Sequence, residues 1–409
     1  MSEHAVSRKV LFSVLVCVCV SSCTYAQKTD VHPLTILVIG DAGETGSALR
    51  ACGAYATDMY TGRHDGGVFD AMIFLGDNFY NIGLNGPASD VESKADDVLG
   101  KFKEPMRGLG RTNVHAIAGN HDYYAWNLVE GSFLFGLITV DEVPMGLSDK
   151  GNVREAALDQ WTYHHGMPAE ATYPVAPGSP DSAQFIFVDS AIPLRTSPST
   201  WHPALDSLHK LLMFSGERHG IKWRILCTHH PFYSVGEHGG YSVWNDETKT
   251  VDYVSHCDKD TNAYAWFLNS VDPEDLCADK YQDYLDSVKS IIHIAGVKLQ
   301  LTLSGHDHSL QLLNYPDRDQ GIPEFPTVHV VSGAGSKPTR VKFPSPPGEY
   351  TSAQADPKKE GESFPGFVQL QFQSDRLRIR FFNAKSGDWL DMGGSKKEFW
   401  LDLDGTLLN

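Results

Sequence analysis

The sequence predicts an α/β protein with helices on both faces of a sheet. Two observations carry this. Short apolar runs recur along the chain, and many are separated by longer stretches of helical character. Several runs are followed at once by a glycine and a cluster of Asp, Asn, His or Tyr, and ligands of open α/β sheets bind just beyond the carboxyl ends of strands. The chain has 409 residues, 41% hydrophobic and 21% charged, so it can bury a sizeable core and is not globally disordered.

Taken in order, Arg8 and Lys9, the apolar run Val10–Val20 and the small residues before Ala26 read as a signal peptide over residues 1–26. The run is shorter than the roughly 20 apolar residues that span a bilayer. The mature chain is therefore expected to be secreted or lumenal (lysosomal and endosomal compartments included), without stable membrane insertion. In such a compartment Cys257 and Cys277, which flank one loop-rich stretch, are expected to pair. A Cys52–Cys227 pair or free thiols are the alternatives, and no N-glycosylation sequon occurs.

Leu34–Ile39, Ala71–Leu75, Val114–Ala118, Phe185–Val188, Arg224–Cys227, Leu299–Leu303 and Thr327–Val331 read as buried strands, and Ala48–Met59 and Leu205–Phe214 as helices. Phe367–Phe372 and Leu377–Phe382 alternate and read as an antiparallel hairpin added to the layer. Gly131–Pro180 and Glu237–Asp279 read as long loops with scattered helix, and Phe343–Phe364 as an exposed loop. No repeat or composition shift marks a second domain. One domain over 33–393 is expected, with 394–409 as a C-terminal strand or tail. The ending Asp402-Leu403-Asp404-Gly405-Thr406 resembles the nucleophile motif of haloacid-dehalogenase-type phosphatases, but that fold needs a further domain after it, so a non-catalytic strand is expected.

Lys+Arg is 34 and Asp+Glu 51, a formal net charge of -17. That excludes a generic nucleic-acid binder and a polybasic lipid attachment. An anionic substrate then needs a local positive charge, such as a metal ion.

Five strand ends supply candidate ligands: Gly40-Asp41-Ala42-Gly43, Gly76-Asp77-Asn78-Phe79-Tyr80, Gly119-Asn120-His121-Asp122, Thr228-His229-His230-Pro231 and Ser304-Gly305-His306-Asp307-His308. Hard O and N donors without thiolates suit Fe, Mn or Zn. Seven candidates exceed the need of one ion, and phosphoryl chemistry commonly uses metal pairs roughly 3.5–4 Å apart.

This ordered set resembles the calcineurin-like metallophosphoesterases and, within them, the purple acid phosphatases of the small tartrate-resistant animal type. The resemblance implies a four-layer αββα sandwich. It implies Fe(III) on Asp41, Tyr80 and His308, a divalent Fe, Zn or Mn on Asn120, His229 and His306, and Asp77 bridging the two. It also implies that His121 and His238 face the substrate. Ala42 departs from the usual Trp, and the long Glu237–Asp279 segment departs from the small type.

Generic members carry Asp-x-His at the first motif, where this chain has Asp41-Ala42-Gly43. Two divalent ions with two carboxylates leave a formal charge of about +2; one ferric and one divalent ion with two carboxylates and a tyrosinate also leave about +2. Trading His for Tyr80 thus suits a trivalent ion. The expected function is a secreted acid phosphatase that hydrolyses phosphate monoesters, small or on phosphoproteins, by metal-hydroxide attack. The alternatives are a phosphodiesterase or nucleotide-directed hydrolase on the same fold, or a non-catalytic scaffold that keeps it.

Overall fold

The computed structural model describes residues 32–64, 68–85, 88–123, 150–239, 243–245, 250–252, 274–355, 361–393 and 396–408. The expected signal peptide and Cys257, hence the Cys257–Cys277 pairing, lie outside the described residues.

The first half of the chain builds β1 (Thr35–Ile39), α1 (Ser47–Tyr60), β2 (Ala71–Phe74), α2 (Ala88–Leu99), α3 (Lys103–Leu109), β3 (Val114–Ile117) and α4 (Asn120–Tyr123). After these come α5 (Lys150–Ala156), β4 (Thr162–His164), β5 (Ala169–Pro174), β6 (Ser182–Val188), α6 (Ala191–Arg195), α7 (Pro198–Glu217) and β7 (Ile221–Thr228). The second half adds a small hairpin, β8 (Val243–Asn245) with β9 (Thr250–Asp252), then α8 (Asp279–Ala295), β10 (Leu301–Ser304), β11 (Leu310–Asn314), β12 (Val328–Ser332) and β13 (Glu349–Thr351). The chain closes with β14 (Gly366–Phe372), β15 (Arg376–Asn383), β16 (Asp388–Trp389), β17 (Phe399–Asp402) and β18 (Leu407–Leu408).

Two large sheets form, as the resemblance implies, beside the small β8-β9 hairpin. A nine-stranded sheet runs β18-β17-β15-β14-β1-β2-β3-β4, with β16 on β15, and a seven-stranded sheet runs β13-β11-β12-β10-β7-β6-β5. Ile36, Val38 and Ile73 of the first sheet share one buried cluster with Phe185, Ile225 and Leu303 of the second. The alternate residues Leu37, Ile39, Met72 and Phe74 pack outward on Leu49, Cys52 and Ala56 of α1 and on Val98 and Phe102. On the far side Ile186 and Leu226 pack on Leu208 and Leu212 of α7 and Leu285, Val288 and Ile292 of α8. Strands covered on both faces read as continuous apolar runs, as these do. The result is the helix–sheet–sheet–helix sandwich.

Some expectations need correction. The stretch read as a loop over Gly131–Pro180 supplies α5 and the edge strands β4 and β5 in its described part. Both edge strands are largely half-buried, so no apolar run announced them. Phe343–Phe364 contains β13, which pairs with β11. The C-terminal residues, expected as a strand or tail, need no correction: β17 pairs with β15 in the nine-stranded sheet. The Asp402 carboxylate there accepts the backbone N–H groups of Asp404 at 3.0 Å and Thr406 at 2.8 Å, so the dehalogenase-like motif is a hairpin turn. Cys52 and Cys227 are buried free thiols, which removes the Cys52–Cys227 alternative.

A polar seam joins the two sheets. His115 of β3 bonds through Nδ1 to His164 Nε2 of β4 at 3.0 Å, and through Nε2 to the Tyr173 hydroxyl of β5 at 2.7 Å. His164 stacks on Phe187 of β6 with ring centroids 4.4 Å apart. Burial pulls His115 down to about 4, and burial with the neighbouring His115 pulls His164 down to about 3.

Both histidines bind a proton more readily unfolded than folded. Their contribution to stability is therefore complete above about pH 6.5 and is lost as pH falls toward 4 and 3. For His115 the loss is on the order of 3 kcal/mol. A His164→Phe variant should accordingly show a shallower fall of Tm between pH 6.5 and 4 than the unaltered protein. Parallel Tm–pH curves would contradict this role.

Candidate metal centre

Every strand-end cluster reaches one rim. Asp41 follows β1, Asp77 and Tyr80 follow β2, Asn120 and His121 open α4 after β3, His229 follows β7, and His306 and His308 follow β10. The backbone makes this possible at some cost. Asp41, Asp77 and His306 hold φ of 54°, 50° and 65°, a region side chains rarely adopt and that recurs at functional sites. Two glycines make room: a Cβ on Gly119 would come within 2.3 Å of Asp77 Oδ1, and one on Gly305 within 2.6 Å of Asp41 Oδ2.

The structure brings all seven predicted donors together in two groups. In the first, the Tyr80 hydroxyl lies 3.0 Å from Asp41 Oδ1 and 2.9 Å from His308 Nε2, and His308 Nε2 lies 3.4 Å from Asp41 Oδ1. In the second, Asn120 Oδ1 lies 2.8 Å from His229 Nε2 and 3.2 Å from His306 Nδ1. Asp77 belongs to both: Oδ1 is 3.4 Å from His229 Nε2, and a carboxylate oxygen lies within 4.8 Å of the Asp41 and His308 donors. All are buried except His308, whose side chain is 13% exposed.

Hydrogen bonds behind the donors select the atoms that point inward. His229 Nδ1 donates to the Leu75 carbonyl at 2.7 Å, leaving Nε2 to face the group. His306 Nε2 donates to the Glu274 carbonyl at 2.8 Å, leaving Nδ1 inward. Imidazole ligands are commonly fixed in this way.

Charge at the site calls for a cation. Burial alone would raise Asp77, but His229, His121 and His306 around it hold its carboxyl well below the usual range. Burial and the nearby Asp41 and Asp77 charges raise the Tyr80 phenol well above 10. Burial disfavours charge on His229, yet Asp77 and Asp41 push it up to about 9. The two carboxylates thus draw positive charge to this point. Carboxylate, phenol and imidazole in one group, with carboxylate, amide and two imidazoles in the other, fit a pair of hard or borderline ions.

The first motif adds a steric fact. A Cβ on Gly43 would come within 2.6 Å of Phe79 N and 2.7 Å of Asp77 O. No histidine fits at this position, and the Tyr80 hydroxyl occupies the donor place beside Asp41 instead.

His121 and His238 stand at the open side, with side chains 24% and 25% exposed. His121 N–H donates to Asp77 Oδ1 at 2.9 Å, its Nδ1 to the Asn81 carbonyl at 2.6 Å, and its Nε2 lies 4.0 Å from Asp77 Oδ2. His238 stacks on His306 at 4.2 Å and donates through Nδ1 to Asp275 Oδ1 at 2.9 Å. Burial lowers His238, but the Asp275 bond and charge outweigh it and push it up to about 10.

Four residues of the site were not singled out from the sequence. His230 Nδ1 bonds Ser190 Oγ at 2.8 Å, and His230 has a ring nitrogen within 4.8 Å of the donors of His229 and His306. Its Nε2 is buried without a hydrogen-bond partner among the described residues. Glu274, Asp275 and Arg195 surround the second group. The doublet His229-His230 was a visible signal; Arg195 ends helix α6, and Glu274 and Asp275 lie in the loop before α8, with no motif.

The donor map makes a stoichiometric prediction. His229→Ala or Asn120→Ala should lower occupancy of one ion and spare the other, whereas Asp77→Ala should disturb both. Metal analysis of purified variants checks this, and unchanged two-ion content in all three would contradict the map.

The calcineurin-like phosphoesterase family model matches residues 34–310. Among solved structures, the chain is similar to GAP50, the anchor in the inner membrane complex of Plasmodium, at 15% identity and TM-score 0.48, covering 90% of each chain. It is similar to PhoD at 12% identity and TM-score 0.47, covering 93% of this chain and 71% of PhoD. No curated protein matches it. The matched span exceeds half of the chain and contains all seven donors, and on this ground the chain belongs to the calcineurin-like phosphoesterases.

Proposed function

We propose that this phosphoesterase is an acid phosphatase of the purple acid phosphatase type, secreted or lumenal, acting on phosphate monoesters of small molecules or phosphoproteins. The observation that carries the reading is the Tyr80 hydroxyl, 3.0 Å from Asp41 Oδ1 and 2.9 Å from His308 Nε2, across from a Gly43 with no room for a side chain. A phenolate there adds the negative charge that a ferric ion balances. Asn120, His229 and His306 offer the softer, less charged set for divalent Fe, Zn or Mn, with Asp77 shared. All seven donors are present, which weighs against a non-catalytic scaffold.

When bound, the two ions supply Lewis-acid charge for phosphate oxygens and acidify water. The chain's own residues do the rest. Asp77 fixes the spacing of the two groups. The buried imidazoles and amide hold their positions without reorganising, which is where positioning and electrostatic stabilisation of phosphoryl transfer come from. His238, paired with Asp275, keeps its proton and faces the open side as a charge stabiliser or proton donor. His121, tied through Nδ1 to Asn81, presents Nε2 toward the same space for protonation of the leaving oxygen.

The purified protein should be pink to purple, and Tyr80→Phe should remove the colour; a colourless protein with full iron content contradicts the ferric assignment. Aryl phosphate hydrolysis should exceed that of a bis-aryl diester at acid pH, and the reverse preference favours a phosphodiesterase. His121→Ala and His238→Ala should each lower kcat/KM by about 10²–10⁴-fold. The loss should be larger for alkyl phosphates, whose leaving group needs a proton, with metal content unchanged.

A further inference from the structure

Asn120 can coordinate a cation through Oδ1 but not through Nδ2, and its amide can sit either way round. In the structure Nδ2 donates to Glu274 Oε1 at 3.1 Å, while Oδ1 faces His229 Nε2 at 2.8 Å and His306 Nδ1 at 3.2 Å. Glu274 Oε1 is in turn held by Arg195 NH2 at 3.3 Å, and the Arg195 side chain is only 5% exposed. The same residue reaches a second ligand of that group, because its backbone carbonyl accepts His306 Nε2 at 2.8 Å. Its neighbour Asp275 takes His238 Nδ1 at 2.9 Å, and the Leu276 N–H bonds the His238 carbonyl at 2.9 Å.

We propose that Glu274 is a positioning residue for the second ion site: its carboxylate, held by Arg195, sets which atom Asn120 presents, while its carbonyl sets which nitrogen His306 presents. The inference rests on the two-ion reading above. It gives the long segment ending at Asp279 a role, since Glu274 and Asp275 lie in it and serve three side chains of the site. An ionised carboxylate accepts only, so it can face the amide NH2 and not its oxygen.

The test is a double-mutant cycle read by equilibrium binding of Zn²⁺ or Mn²⁺ to protein already loaded with iron, with iron content measured alongside. Glu274→Ala should weaken the second ion by about 10–100-fold, the usual effect of losing a ligand's outer partner, and leave iron in place. Glu274→Gln, which keeps an acceptor oxygen between Asn120 and Arg195, should stay within a few fold of the unaltered protein. In the Asn120→Asp background both side-chain atoms are oxygens, so Glu274→Ala should cost nothing further. An equal loss in both backgrounds, no loss in either, or a Glu274→Gln variant as weak as Glu274→Ala overturns the proposal while leaving the two-ion reading standing. Uptake of a single ion by the unaltered protein overturns both.

Discussion

Asp41 and Asp77 lie at 0% and 1% exposure at the meeting of the two sheets, and much of the site follows from their need for positive charge. Burying a carboxylate without compensation costs several kcal/mol. Histidines face both: His308 lies 3.4 Å from Asp41, and His121 and His229 lie 4.0 Å and 3.4 Å from Asp77. Asp77 and Asp41 in turn push His229 up to about 9. A cation held by these residues would favour the neutral imidazole of His229 and the ionised phenol of Tyr80. His229 and Tyr80 are both displaced upward by the same two carboxylates, Asp41 and Asp77.

The sandwich explains why this charge can be met so closely. Asp41, Asp77, Tyr80 and Asn120 come from ends of the nine-stranded sheet; His229, His306 and His308 come from the seven-stranded sheet. Each ligand group mixes donors from both. Donor spacing is therefore set by the packing between the sheets, where Val38, Ile73, Ile225 and Leu303 are fully buried. Close-packed interiors transmit changes of a single methylene. A core residue several positions from any ligand thus governs the fit of the ions, and the glycines at 119 and 305 let carboxylates approach the backbone of the neighbouring loop.

The central strands were legible because each is buried on both faces, which writes a continuous apolar run. The edges were not. β4, β5 and β13 are short or half-covered, so Thr162–His164 and Ala169–Pro174 carry too little apolar signal to separate from loop. A one-dimensional pattern also cannot say whether strands share a sheet; periodicity alone suggested one, and only the resemblance implied two. The donors were legible because each follows such a strand directly. Glu274, Asp275 and Arg195 were not, because they act by orienting other residues, in part through a backbone carbonyl, and that leaves no spacing to read. His230 shows the remaining ambiguity: two adjacent histidines are visible, but which imidazole points inward depends on Ser190 from a different strand end.

Gly43 ties the electrostatic and steric arguments together. The formal-charge count explains why a phenolate could replace a neutral imidazole, but not why the imidazole is gone. The packing supplies that reason, since the Asp77–Phe79 backbone fills the volume a side chain at position 43 would need. Bringing that loop close is also what carries Tyr80 to Asp41. Restoring a histidine at 43 would push the loop away and withdraw the phenol in the same movement, so the two donor sets are alternatives and not additions. With this backbone the donor beside Asp41 comes from the Tyr80 hydroxyl and not from an imidazole at position 43.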